Sequence, residues 1–167
     1  DILIYGMGEK QIKEIADQLN QGINVSDIRN VHGSCYKSDS IEHLWDYIET
    51  PSYDAVTANK NDFTAAFKIQ YQEQDALRGK ILVQSHGEFS VIQNPPAMPL
   101  TTLEMDEVYA LPYQRTYHPS YAAAGGVPAI QEVKFSLVSH RGCFGGCSFC
   151  AIVSHQGRII QSRSQES

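Results

Sequence analysis

The chain opens on a continuous apolar run, Ile2-Leu3-Ile4-Tyr5, that breaks at Gly6-Met7-Gly8-Glu9. Ile12, Ile15, Ala16 and Leu19 then recur at helical spacing until Asn20-Gln21-Gly22 ends the pattern. Strand, glycine turn and helix in this order predict half a βαβ unit. Val25, Ile28 and Val31 predict a further strand, with Gly33 as a turn. A second helix is expected from about Ser40 to Thr50-Pro51, with Ile41, Leu44, Trp45 and Ile48 on its core face. A third covers roughly 60–76, with Phe63, Ala66, Phe67 and Tyr71 on a common stripe.

After Arg78-Gly79 the apolar period shortens. Ile81–Ser85, the pair His86-Gly87 and Phe89–Ile92 predict a β-hairpin, with His86 a solvated turn residue. Pro95, Pro96 and Pro99 hold an extended stretch, and a short helix from about Thr102, rich in Glu104, Asp106 and Glu107, ends before Pro112. Residues 112–130 carry no period and predict a surface connector. Its tyrosines, with Arg115 and His118, suit groove lining and simple packing equally. Val133–Ser139 predicts a strand, and Ser164–Ser167 has the capping serine and acid of a helix start. No internal repeat or low-complexity tract occurs. These elements together predict an α/β fold.

Composition narrows the function classes. The 167 residues are 42% hydrophobic and 19% charged, which suits a globular protein with a real core. A net charge of −6 argues against a nucleic-acid or membrane surface, which needs clustered Lys and Arg. No apolar run approaches a membrane span, and no signal peptide opens the chain. The start at Asp1, directly on a strand, suggests a piece of a longer protein. Four cysteines, three of them within eight positions, suit a metal site in a reducing compartment, and the cytoplasm is the expected location.

Those three carry the chemistry. Cys143, Cys147 and Cys150 form a C-x3-C-x2-C spacing in His140-Arg-Gly-Cys-Phe-Gly-Gly-Cys-Ser-Phe-Cys150. Three thiolates can hold three irons of a cubane cluster and leave the fourth open, where a metal does chemistry. Gly142, Gly145 and Gly146 allow the backbone to wrap closely, and Phe149 sets an aromatic face beside the last ligand. The competing reading is a structural Cys3His zinc site, with His155 or His140 as fourth ligand; zinc usually takes paired CxxC knuckles. Cys35 is expected to be a small buried residue. His140 and Arg141 either tune the site or close the strand end. The Gly6-x-Gly8 turn lacks the third glycine of a dinucleotide fingerprint, position 11 being Gln11, so nucleotide binding is not expected there. Cobalamin binding is unsupported, since no Asp-x-His-x-x-Gly motif occurs.

The loop resembles the cluster loop of the radical S-adenosylmethionine (SAM) superfamily, whose signature is CxxxCxxC with an aromatic before the third cysteine. The stretches Gly79-Lys-Ile-Leu-Val-Gln-Ser-His-Gly87, Val91-Ile-Gln-Asn-Pro-Pro-Ala-Met-Pro-Leu100, His118-Pro-Ser-Tyr121 and Val133–Cys143 resemble the YgiQ family of that superfamily. The resemblance implies a Rossmann-like N-terminal domain with the hairpin over 1–111, the connector over 112–130, and over 131–167 the first strand and cluster loop of a truncated partial (β/α)6 barrel. It also implies that Cys143, Cys147 and Cys150 ligate a 4Fe–4S cluster, that S-adenosyl-L-methionine chelates the open iron, and that Phe149 borders its adenine. Reductive cleavage would give a 5′-deoxyadenosyl radical, with the electron supplied by a flavodoxin- or ferredoxin-type donor. This length of chain alone is expected to hold at best a labile cluster without turnover.

Overall fold

The computed structural model describes residues 2–167, which divide into two compact units. One comprises the chain through Pro99 together with Gly142–Ile160; the other comprises Leu100–Arg141 and Gln161–Ser167.

The first unit is built on a mixed sheet. Strand β1 (Ile2–Ile4) leads through the glycine turn into helix α1 (Glu9–Asn20), as the opening pattern predicts. Gly6 takes φ +74°, a conformation that favours glycine. The helix is rotated from the expected stripe. Gln11 and Ile15, one turn apart, are the buried pair, whereas Ile12 and Leu19 face outward.

Strand β2 (Ser34–Ser38) returns antiparallel to β1, so the βαβ expectation fails at its second strand. Sequence periodicity missed β2 because two of its three buried positions are serines. Each hydroxyl is satisfied locally: Ser34 Oγ donates to Val31 O at 2.6 Å, and Ser38 Oγ donates to Ser40 O at 2.7 Å.

The strand expected over Val25–Val31 is a 3₁₀ turn (Val25–Asp27) followed by irregular chain. Ile28 and Val31 are core residues nonetheless, packed with Ile15 under Ile2 and Ile4. In place of a ladder, buried Asn94 serves this segment. Its Nδ2 donates to Arg29 O at 2.8 Å, to Val31 O at 3.1 Å and to Ser34 Oγ at 3.0 Å. Asn94 O accepts from the Tyr5 hydroxyl at 2.6 Å.

The helix expected from Ser40 is also absent. Asp46 adopts φ +54°, which interrupts any helix, and strand β3 (Tyr47–Glu49) follows. Ile41 and Leu44 still pack on Tyr36, Val83 and Ile92, but Trp45 is 86% exposed, not core. Helix α2 (Tyr53–Ala58) is capped by Ser52, and helix α3 (Lys60–Gln72) by Asn59. On α3 only Ala66 is buried, so Phe63, Phe67 and Tyr71 form a largely exposed aromatic row.

The hairpin forms as expected, from β4 (Ile81–Ser85) and β5 (Ser90–Gln93). His86 is not a free turn residue. It stacks between Tyr53 and Phe89, with ring centroids 4.8 and 5.3 Å away. The sheet order is β1-β2-β5-β4-β3, and β3–β4 is its one parallel pair among the described residues. The fold is therefore mixed α/β, without the all-parallel sheet of a doubly wound domain.

In the second unit, helix α4 (Thr102–Tyr109) starts on a capping box. Thr101 Oγ1 accepts from Glu104 N–H, and the Glu104 carboxylate accepts from Thr101 N–H. Met105 is fully buried below it. Hydrogen bonds from Ser164, hydroxyl first and then N–H, hold the Asp106 carboxyl below the usual range.

The connector contains a 3₁₀ turn (Pro119–Ala124) closed by left-handed Gly125. Helix α5 (Ile130–Val133) follows, and the strand expected over Val133–Ser139 does not form. Phe135 and Leu137 are about nine-tenths exposed. Extended chain becomes a strand only where a neighbour takes its N–H and C=O groups. Here pairing is confined to β6 (His140–Arg141), antiparallel to β7 (Gln161–Ser162). Residues 164–167 are irregular, not the expected helix start.

Candidate metal centre on the cysteine loop

Between β6 and β7 the chain runs through Gly142–Ile160, which holds all three motif cysteines and the short helix α6 (Ile152–Gln156). Its neck is closed by two hydrogen bonds. Gly142 N–H donates to Gln156 Oε1 at 3.0 Å, and Cys143 N–H donates to Gly157 O at 3.1 Å. Buried Gly142 sits at φ +86°, and a Cβ there would lie 2.3 Å from Ile159 O. Only glycine fits. Gly157, also at φ +86°, ends α6.

Inside the loop, Gly145 N–H donates to Cys143 Sγ at 3.4 Å, and Cys150 N–H donates to Cys147 O at 3.1 Å. A Cβ on Gly145 would lie 3.3 Å from Cys143 Sγ and 3.7 Å from Cys147 Sγ. The absent side chain thus leaves a gap flanked by two of the three sulfurs. Cys147 is exposed, while Cys143 and Cys150 are half-buried. Among the described residues no three His, Cys, Asp or Glu side chains converge as a metal-holding group, so neither the three-cysteine set nor the Cys3His set is gathered. Three thiols on one loop are donors of the kind an iron–sulfur group takes, but the described arrangement does not gather them.

Phe149 is 90% exposed and Phe144 is similarly open. Arg141 is buried, donates to the Tyr109 hydroxyl at 3.3 Å and lies over its ring, which favours the strand-closing role. His140 Nδ1 pairs with Ser139 Oγ at 3.0 Å. Cys35 is on β2, where burial pushes its thiol up to about 11.

Sequence reading missed the residues that shape the loop. Gln156 and Gly157 close the neck. Tyr71 of α3 lies against Gly146, and Arg158 covers its ring. The Gln156-Gly157 step carries a helix-stop signal; nothing local marks Tyr71.

The family described as Radical SAM N-terminal matches residues 1–136, a stretch that ends before the cysteines. The whole chain is 59% identical to a UPF0313 protein of Clostridium botulinum (strain ATCC 19397 / Type A), covering 26% of that protein. It is 55% identical to a UPF0313 protein of Clostridium perfringens (strain 13 / Type A), covering 25% of it. The chain therefore spans about a quarter of the length of these curated relatives. No solved structure matches it. No helix among the described residues is long and apolar enough to cross a membrane.

Proposed function

This chain belongs to the Radical SAM N-terminal family, and from that premise we propose that the protein is a radical SAM enzyme of YgiQ type with its cluster on Cys143, Cys147 and Cys150. The observation that carries the reading is the loop itself: three thiols at C-x3-C-x2-C spacing on a segment tied at its neck, two of them flanking the side-chain gap at Gly145.

When bound there, a 4Fe–4S cluster supplies one-electron reduction of S-adenosyl-L-methionine, the source of a radical that abstracts hydrogen from substrate. The residues of the chain hold and orient. The three thiolates take three irons and leave one for the cofactor. Gly145 and Gly146 let the backbone approach the sulfides, and Phe149, whose ring is open, borders the adenine. An electron donor of flavodoxin or ferredoxin type reaches the loop over its exposed side, at Cys147 and Phe144. In this reading residues from 131 onward begin a partial (β/α)6 barrel, whose strand ends are where barrel enzymes place their chemistry. The apolar positions Phe135 and Leu137 are then waiting for neighbouring strands.

The test is product analysis on the full-length protein, reconstituted anaerobically with iron and sulfide and reduced in the presence of S-adenosyl-L-methionine. 5′-Deoxyadenosine and methionine are expected in equal amounts, and C143A, C147A or C150A each abolishes them. Unchanged product from any of these variants refutes the ligand assignment.

A further inference from the structure

We propose that Tyr71 and Arg158 are positioning residues that anchor the cysteine loop to helix α3. What the anchor serves rests on the iron–sulfur reading above; the anchor itself rests on contacts within one compact unit.

One side chain, Tyr71, lies beside both limbs of the loop. On the outgoing limb, the Tyr71 hydroxyl faces the open side of Gly146: a Cβ there would lie 3.7 Å from it. Gly146 directly precedes Cys147. On the returning limb, the Arg158 guanidinium sits 4.7 Å from the centre of the Tyr71 ring, within cation–π range. Behind Tyr71, Phe67 stacks one helical turn away at 6.3 Å and 26°. Among the described residues Arg158 has no carboxylate at ion-pair distance, so the ring is its partner.

The anchor supplies what the neck does not. The bonds at Gly142 and Cys143 fix where the loop begins and ends, but they do not reach Phe144–Ala151. Contact on α3 fixes the loop at a second place, next to the middle cysteine. Two fixed points define the direction in which the thiols are presented. The last member of the aromatic row on α3, Tyr71, is the one that lies beside the loop.

The experiment compares Y71L, Y71F and R158Q, first in the metal-free chain. The readout is hydrogen exchange at the Cys150 amide, which bonds to Cys147 O. Y71L and R158Q are each expected to raise that exchange, R158Q about threefold to fivefold; Y71F keeps the ring under Arg158 but removes the hydroxyl beside Gly146, and is expected to raise it less than Y71L. The double variant Y71L/R158Q is no worse than Y71L alone, because Y71L already removes the ring that Arg158 covers. Exchange in the α1 and β4 amides reports on the fold; if Y71L perturbs it, R158Q, on an exposed side chain outside α3, carries the comparison. In a second arm, with ferrous iron and sulfide supplied anaerobically, Y71L and R158Q release iron to a chelator faster by a similar factor. Unchanged exchange in both variants overturns the anchor. Altered exchange in these variants, with no iron taken up by the full-length protein, supports the anchor and overturns the iron–sulfur reading.

Discussion

Replacing Gly142 by alanine tests the loop neck, and Gly125 supplies its control. Both residues have positive φ, +86° and +89°, so an alanine at either position meets a backbone penalty of about 1–2 kcal/mol. They differ in surroundings. A Cβ on Gly125 meets nothing within 4 Å, whereas one on Gly142 would lie 2.3 Å from Ile159 O and 3.0 Å from Ile159 C. Both neighbours are backbone, so the returning limb must move by roughly 1 Å to reach ordinary contact. That shift breaks the bonds from Gly142 N–H to Gln156 and from Cys143 N–H to Gly157. At about 1 kcal/mol net for each bond, G142A costs about 3–4 kcal/mol against about 1–2 for G125A. Hydrogen exchange at the Cys143 amide reads this directly. Protection is expected to fall by about two to three orders of magnitude in G142A, at about 1.4 kcal/mol per decade, and to be unchanged in G125A. Wild-type exchange at Cys143 in G142A refutes the closed neck.

Three further outcomes follow from the geometry. Asn94→Ala removes the side-chain donor to Arg29 O, Val31 O and Ser34 Oγ and is expected to cost about 2–3 kcal/mol in urea unfolding; Asn94→Asp, which turns an acceptor toward those acceptors, is expected to cost more at neutral pH. Equal stability of N94A and wild type contradicts that role. Alkylation of the metal-free chain at pH 7.5 labels exposed Cys147 well before Cys35, whose thiol stays protonated to about 11, and C35A leaves iron uptake unchanged; early labelling of Cys35 contradicts its burial. The Asp106 carboxyl is depressed in the folded chain, so its tie to Ser164 contributes fully above the ordinary carboxylate pKa of about 3.9 and is lost as pH falls through the lowered value. An NMR titration should therefore move the Ser164 amide with a midpoint below the ordinary carboxylate value, and a midpoint at or above it contradicts the bond.

Much of this was legible in the sequence where local chemistry decides. The Gly6-Met7-Gly8 turn, the hairpin about His86-Gly87 and the short helix from Thr102 form from residues a few positions apart. The cysteine motif is local too. Reading failed where distant partners decide. Val25–Val31 looks like a strand by its apolar period, but its carbonyls are served by Asn94, more than sixty positions away. Ser34–Ser38 looks polar, yet it is a central strand because its hydroxyls find backbone acceptors. Ile41, Leu44 and Ile48 fit a helical face as well as a turn followed by an edge strand, and pairing with β4 settles the choice. Tyr71 carries no sign of its place beside Gly146, since only the fold brings α3 to the loop.

The central claim is that Cys143, Cys147 and Cys150 hold a 4Fe–4S cluster with one iron open to S-adenosyl-L-methionine. Electron paramagnetic resonance on the protein, reconstituted anaerobically with iron and sulfide and then reduced, tests it most directly. The account predicts a brown protein with about four irons per chain, a reduced-cluster signal that changes when S-adenosyl-L-methionine is added, and loss of that signal in C143A, C147A and C150A. A colourless protein carrying one tightly bound zinc, or a cluster signal indifferent to the three cysteines, would contradict it.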